Sequence, residues 1–220
     1  MKPAIYMFPG ACSRVTMTAM EEIGIDYEMR PVDLLSGAQK SAEYLAINRK
    51  CKVPALAVEG RLLTENPSIL HYLHRLRPQA ALLPRSDNLA EDTQGLSDLI
   101  WCSSTLHPMV RQIRNPQRFT KGELPGVKAD GMEKFAAECA YLSARFAGAT
   151  WWYGENWSIV DTYLYWAYST AGKGGFPVNN FPQLVSHAGR VRARPSFHRT
   201  RNKEIEVAEG QKLKVEISDL

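Results

Sequence analysis

Lys52-Val53-Pro54-Ala55-Leu56-Ala57-Val58-Glu59-Gly60-Arg61-Leu62-Leu63-Thr64-Glu65-Asn66-Pro67 is the stretch on which the reading of this chain turns. Two short apolar runs, Pro54–Val58 and Arg61–Leu63, flank the pair Glu59-Gly60, which suits a tight hairpin. Directly after it the period changes. Ile69, Leu70, Leu73 and Leu76 recur at helical spacing, and Pro67 stands at a position that a first helical turn tolerates. Toward the N-terminus, Ala4–Phe8 is an apolar run ended by Pro9-Gly10, which reads as a buried strand and a turn. Val15, Ala19, Met20 and Ile23 mark a helix over Arg14–Ile23, which Gly24 can cap. Tyr27–Val32 is strand-like, and Ser41–Ile47 suits a short helix.

The resulting order over residues 1–77 is β-α-β-α-β-β-α, which predicts a thioredoxin-like domain. Pro78–Asp87 carries two prolines and no periodicity, so residues 78–88 read as a linker. Beyond it the pattern is helical: Leu89–Arg114 with a possible kink at Pro108, Val127–Phe146, Ile159–Thr170, and two segments after Pro182 and Pro195. Ser158-Ile159-Val160-Asp161 fits a capping box, with Asp in place of Glu. Residues 89–220 are expected to form an all-helical domain, ending in a tail from Glu204 to Leu220 that is expected to be partly disordered. The fold class is α/β plus all-α.

Composition narrows the function. Of 220 residues, 45 % are hydrophobic and 23 % charged, a globular balance that excludes a disordered chain. No stretch approaches the ~20 apolar residues of a membrane span, and the first ten residues hold too short an apolar run for a signal peptide. A cytoplasmic protein without a membrane partner is expected. The net charge of +4 is mild. Its one concentration, Arg190, Arg192, Arg194, Arg199, Arg201 and Lys203, reads as a solvated helix face rather than a nucleic-acid surface. Cys12, Cys51, Cys102 and Cys139 form no C-x-x-C pair, and the histidines show no ligand spacing, so no metal is expected.

Three short motifs carry chemistry. Cys12 follows a strand and a Pro-Gly turn at the start of a helix, where free amides and the helix dipole favour a thiolate. Ser13 beside it can donate a hydrogen bond to a sulfur anion. The plainer alternative is a small buried cysteine next to an N-cap serine. At Lys52-Val53-Pro54, a cis bond at Pro54 turns the Val53 backbone outward to pair with an extended peptide, and Lys52 can meet a carboxylate. Otherwise Val-Pro is only a turn signal. At Glu65-Asn66, helix amides can hold a carboxylate and Glu65 an ammonium. Otherwise Asn66 is an N-cap. Taken together, the three describe a site for a zwitterionic tripeptide with a thiol in its middle.

With these residues the chain resembles the glutathione S-transferase family over nearly its whole length. The resemblance is carried by Pro9–Arg14, Lys52-Val53-Pro54, Thr64-Glu65-Asn66 through Tyr72-Leu73, the linker, and the capping box at Ser158–Asp161. Phe8–Ser13 and Ser103-Ser104-Thr105-Leu106-His107 look most like the bacterial beta class. The resemblance implies glutathione as co-substrate, with Cys12 facing its sulfur and Ser13 as neighbour or substitute. It implies that Val53 and cis-Pro54 hold the cysteinyl unit, Lys52 the glycyl carboxylate, and Glu65 and Asn66 the γ-glutamyl end. His107 would join the sulfur site to a second-substrate region for which Phe8, Trp101, Arg111, Phe119 and Trp166 are candidates. A homodimer is implied as well. Pro108, Ile100, Thr105 and Asn66 stand where the beta class usually has Lys, Asn, Glu and Ser. The expected activity is conjugation of glutathione to an electrophilic, mostly apolar small molecule in detoxification. The rivals are thiol transfer, dehalogenation or ether cleavage through Cys12, and a non-catalytic glutathione-binding adaptor or carrier.

Overall fold

The computed structural model describes residues 2–215 and 217. By their contacts the residues fall into two compact units, one running to Leu82 and resuming at Arg194, the other spanning Leu83–Ala193.

The first unit holds β1 (Ala4–Met7), α1 (Ser13–Glu22), β2 (Glu28–Pro31), α2 (Ala42–Ile47), β3 (Ala55–Val58), β4 (Arg61–Thr64) and α3 (Asn66–Leu76). The sheet order is β2-β1-β3-β4, with β1 parallel to β2 and the other pairs antiparallel. This is the thioredoxin-like arrangement that the sequence predicts. Each strand's composition matches its place. Central β1 is almost wholly buried and apolar, whereas β2 is exposed, polar and ends in Pro31, which an edge tolerates. The hairpin loop is the two-residue kind: Glu59 (φ 52°) and Gly60 (φ 73°) both lie in the left-handed region that a type I′ turn requires.

α1 is buried on all sides from Ser13 to Met20. Its polar residues must therefore find partners inside. Thr16 Oγ1 donates to Asn66 Oδ1 (2.6 Å) and Thr18 Oγ1 to the Arg14 carbonyl (2.9 Å). Arg14 Nε and its neighbouring guanidinium nitrogen reach Glu204 Oε2 at 2.7 and 2.6 Å, with both side chains almost fully buried. Glu204 comes from the far end of the chain. It lies in a final helix, Pro195–Gly210, that packs along α1.

Two expectations change here. Residues 204–210 are helical rather than part of a disordered tail, because Glu204 and Ala208 face inward. The final helix also groups with the first unit, so the contact division differs from a simple cut at residues 78–88. Three of the six cations of the basic cluster are paired within this unit: Arg194 with Glu22 (2.7 Å), and Arg199 and Lys203 with Glu21.

The second unit contains α4 (Leu89–Trp101), α5 (His107–Arg114), α6 (Leu124–Ala147), α7 (Ile159–Lys173) and α8 (Pro182–Arg192), and the final helix is accordingly α9. α7 is buried along nearly its full length and forms the unit's axis. Its capping box is formed as expected: Asp161 Oδ2 accepts the Ser158 N–H at 2.8 Å. Asp161 does more than cap. Its other oxygen accepts the Trp152 N–H (2.7 Å) and His187 Nε2 (3.0 Å), and His187 Nδ1 accepts the Tyr168 hydroxyl (2.8 Å). Burial holds the His187 pKa below the usual imidazole value, consistent with a neutral ring that donates from one nitrogen and accepts at the other.

The predicted helix Leu89–Arg114 is interrupted. Cys102–Leu106 is a π-helical segment in which the His107 N–H bonds to the Cys102 carbonyl. Pro108 cannot donate, so the regular ladder fails one turn before it, and the wider turn absorbs the mismatch. At the α5–α6 contact Gly131 is required: a Cβ there would lie 2.6 Å from Gln112 Cβ. Among the described residues, no helix is long and apolar enough to cross a membrane, and no cluster of His, Cys, Asp or Glu could hold a metal ion.

Candidate active site

In the first unit the turn after β1 is built from Phe8-Pro9-Gly10-Ala11. The Ala11 N–H bonds to the Phe8 carbonyl (3.0 Å), and Gly10 (φ 74°) supplies the positive φ. Two side chains lock this turn. Ser13 Oγ accepts the Phe8 N–H (3.2 Å) and donates to the Phe8 carbonyl (3.1 Å), while Glu204 Oε1 accepts the Gly10 N–H (3.0 Å). Ser13 is fully buried and its single hydroxyl hydrogen is used. In this structure Ser13 shapes the turn.

Cys12 is the residue before α1, and its Sγ lies 3.4 Å from the Val53 carbonyl oxygen. Val53 precedes Pro54 through a cis peptide bond and stands just outside the ladder, which begins at Ala55. The approach to Val53 is held firmly. Tyr44 Oη (2.7 Å) and Asn48 Nδ2 (2.9 Å) both donate to the Lys52 carbonyl, and Asn48 Oδ1 accepts the Lys50 N–H (3.1 Å). Burial raises the Tyr44 phenol to about 12, which keeps it a donor. The Lys52 side chain is exposed. Tyr44 joins Phe8, Val32 and Val53 in an apolar cluster, against which Leu213 and Val215 of the tail also pack.

At the start of α3 the boundary falls one residue earlier than the sequence suggests. Glu65, not Asn66, is the flanking residue, and it sits at φ 68°, ψ 127°, a conformation that costs a non-glycine residue of order 1–3 kcal/mol. This conformation leaves the Glu65 side chain exposed. Asn66 is turned the other way. Its Oδ1 accepts from Thr16 and its Nδ2 donates to the Cys12 carbonyl (3.0 Å), with the residue 4 % exposed. That amide thus ties α3 to the Cys12 turn. Its backbone N–H remains at the helix terminus.

In the second unit His107, at the end of the π-helical segment, is 7 % exposed. Its Nδ1 lies 3.3 Å from Tyr163 Oη, and its ring stands 4.4 Å from that of Trp166. Two of the expected residues are therefore brought together. Trp101 belongs to another group, stacked on Trp152 (5.3 Å) and edge-on to Tyr141 (6.3 Å). Arg111 is partly buried on α5, and Phe119 is 46 % exposed beyond it.

The cysteines separate by burial. Burial drives the Cys102 thiol far up and the Cys139 thiol to about 12, which makes both inert. Cys51 is partly exposed, more so than the buried Cys12. Sequence reasoning passed over Tyr44, Asn48, Lys50 and Glu204. Asn48 sits at a helix end, which is a weak signal, and Glu204 offers none.

Residues 10–76 match the family model described as glutathione S-transferase, N-terminal domain. Maleylacetoacetate isomerase of Pseudomonas aeruginosa is 27 % identical over 185 residues, 79 % of this chain and 83 % of that protein. The solved structure of a sphingomonad glutathione S-transferase complexed with glutathione is 30 % identical. It covers 91 % of this chain and 98 % of its own, with a TM-score of 0.80. A bacterial beta class glutathione S-transferase of Sphingomonas chungbukensis is 28 % identical with the same coverages and TM-score. The match of the N-terminal family model and the likeness to these solved structures over nine-tenths of the chain agree with the observed sheet order, and the chain belongs to the glutathione S-transferase family.

Proposed function

We propose that this chain is a glutathione-dependent transferase that binds glutathione on its first unit and directs the thiolate at an electrophilic, mostly apolar small molecule. The observation that carries the reading is the presentation, within one unit, of Cys12 Sγ 3.4 Å from the Val53 carbonyl, with Glu65 displayed at the α3 terminus. In this reading the Val53 backbone pairs with the cysteinyl unit beside Pro54, Lys52 meets the glycyl carboxylate, Glu65 meets the ammonium, and Cys12 faces the sulfur. The rate gain comes from a thiolate held at its reacting position. In the second unit His107, Trp166, Arg111 and Phe119 are the candidates for the second substrate, and a cytoplasmic homodimer is the expected form. The test is retention on immobilised glutathione, followed by turnover of a panel of aryl halides, epoxides, aryl ethers and disulfides. Glu65→Ala is expected to weaken glutathione binding by about 1.5 kcal/mol, the lower end for a hydrogen bond to a charged group because the side chain is half exposed. Unchanged affinity by calorimetry would sink the zwitterion site.

The role of the protein sulfur is separable. Cys12→Ala is expected to keep conjugation, since glutathione brings its own thiol, and to lose transfer of thiols through a protein mixed disulfide. Loss of both activities with the fold intact makes Cys12 essential to sulfur activation. Retention of both removes it from the chemistry.

A second reading is favoured by the isomerase relative. A glutathione thiolate adds to one carbon of a conjugated cis double bond, the adduct rotates about the resulting single bond, and expulsion of the thiolate restores the alkene as trans. Glutathione is not consumed. Incubation with a cis-enedione acid distinguishes the two readings, because conjugation depletes free thiol and isomerisation does not.

A further inference from the structure

Resting on the glutathione reading above, we propose that Lys50 is a ligand-binding residue of the same site, holding the α-carboxylate of the γ-glutamyl end beside the ammonium that Glu65 holds. Lys50 Nζ lies 3.0 Å from Glu65 Oε1 and 2.9 Å from Thr64 Oγ1. An ammonium has three donors and a carboxylate has two oxygens, so this pair leaves one lysine proton and the second Glu65 oxygen for a ligand.

The two protein charges sit side by side with opposite signs. An α-amino-acid head group carries the same two charges a similar distance apart. Laid head to tail against Lys50 and Glu65, its carboxylate meets the lysine and its ammonium meets the glutamate. The need for such a cation is visible in the structure. The Asn66 amide is consumed by Thr16 and Cys12 and is not free for the carboxylate, and Lys50 is a cation placed beside the α3 terminus. Lys50 is held ready for this. Asn48, itself 4 % exposed, anchors the Lys50 N–H and the Lys52 carbonyl, and its own carbonyl accepts the Cys51 N–H (2.9 Å). The loop therefore delivers Lys50 to Glu65 and Val53 to Cys12 as one piece.

The assignment is tested by calorimetry with three ligands at low ionic strength: glutathione, its des-amino analogue glutaryl-Cys-Gly, and its decarboxy analogue 4-aminobutanoyl-Cys-Gly. Lys50→Met is expected to weaken glutathione roughly three- to tenfold, as suits a half-exposed charged contact, and to leave the decarboxy analogue unchanged. Lys50→Arg is expected to retain most of the affinity, and Glu65→Gln to weaken glutathione while sparing the des-amino analogue. Tighter glutathione binding by Lys50→Met means that Lys50 merely competes for Glu65, and equal binding means that it is a bystander. Equal loss for glutathione and the decarboxy analogue places its contact elsewhere on the tripeptide. Each of these three outcomes overturns the Lys50 assignment alone, whereas failure of the unsubstituted protein to bind glutathione overturns the functional reading with it.

Discussion

Glu204→Ala is expected to destabilise the protein by about 3–5 kcal/mol, the range for breaking a buried ion pair by removing one partner. Glu204 is fully buried, and both nitrogens that Arg14 directs at it come within 2.7 Å. Removing the carboxylate takes that anion from the buried Arg14 guanidinium, which lies over the Phe197 ring. It also strips the Gly10 N–H of its acceptor. Urea unfolding measures the loss as a fall in midpoint. The compensated variant separates charge from shape: Arg14→Met with Glu204→Met removes both charges and is expected to regain most of the stability, since a well-packed apolar pair is often no worse than a buried salt bridge. A single variant as stable as its parent shows that water replaces the carboxylate. A double variant no better than the single shows that the damage lies in packing of α9 on α1.

The second large effect is at Asp161. A surface N-cap is worth roughly 0.5–2 kcal/mol, but Asp161→Ala is expected to cost more, about 3–5 kcal/mol, because each buried donor left without an acceptor costs about 1–3 kcal/mol. The orphaned donors are the Ser158 N–H, the Trp152 N–H and His187 Nε2. His187 then also leaves the Tyr168 hydroxyl with a mobile partner. Asp161→Asn keeps one acceptor oxygen and is expected to fall between the two. Denaturant midpoints rank the three proteins. A loss of activity in Asp161→Ala without any loss of stability assigns the residue to the reaction instead.

Local order along the first unit was readable because each element obeys a short-range rule. Glu59-Gly60 can hardly be anything but a hairpin turn, and Pro9-Gly10 ends the first strand. The all-round burial of α1 was not readable. Its apolar positions trace one helical face, and the other is lined by Ser13, Arg14, Thr16 and Thr18, which look like solvent-facing residues until their partners are known. Cys12, Val53, Pro54 and Glu65 stood out as candidate site residues because turn, proline and helix-start signals are local. The side-chain partners of Ser13 and Asn66 were not legible, since which way a hydroxyl or an amide turns depends on what lies across from it. Helix α4–α5 shows a similar limit, since Pro108 announces a disruption but not that it takes the form of a π-helical segment.

The sequence by itself determined the element order of the first unit, the hairpin, the capping box of α7 and the places of the three candidate motifs. Each follows from chemistry that acts within a few residues. Only the tertiary structure decided that Glu204 locks a turn 194 residues away, that Asn66 faces Cys12 rather than solvent, and that Lys50 stands at Glu65. Those pairings depend on packing between segments distant in sequence. An isolated charge or amide carries no mark of its partner until burial removes water and leaves another protein group as the only way to satisfy it.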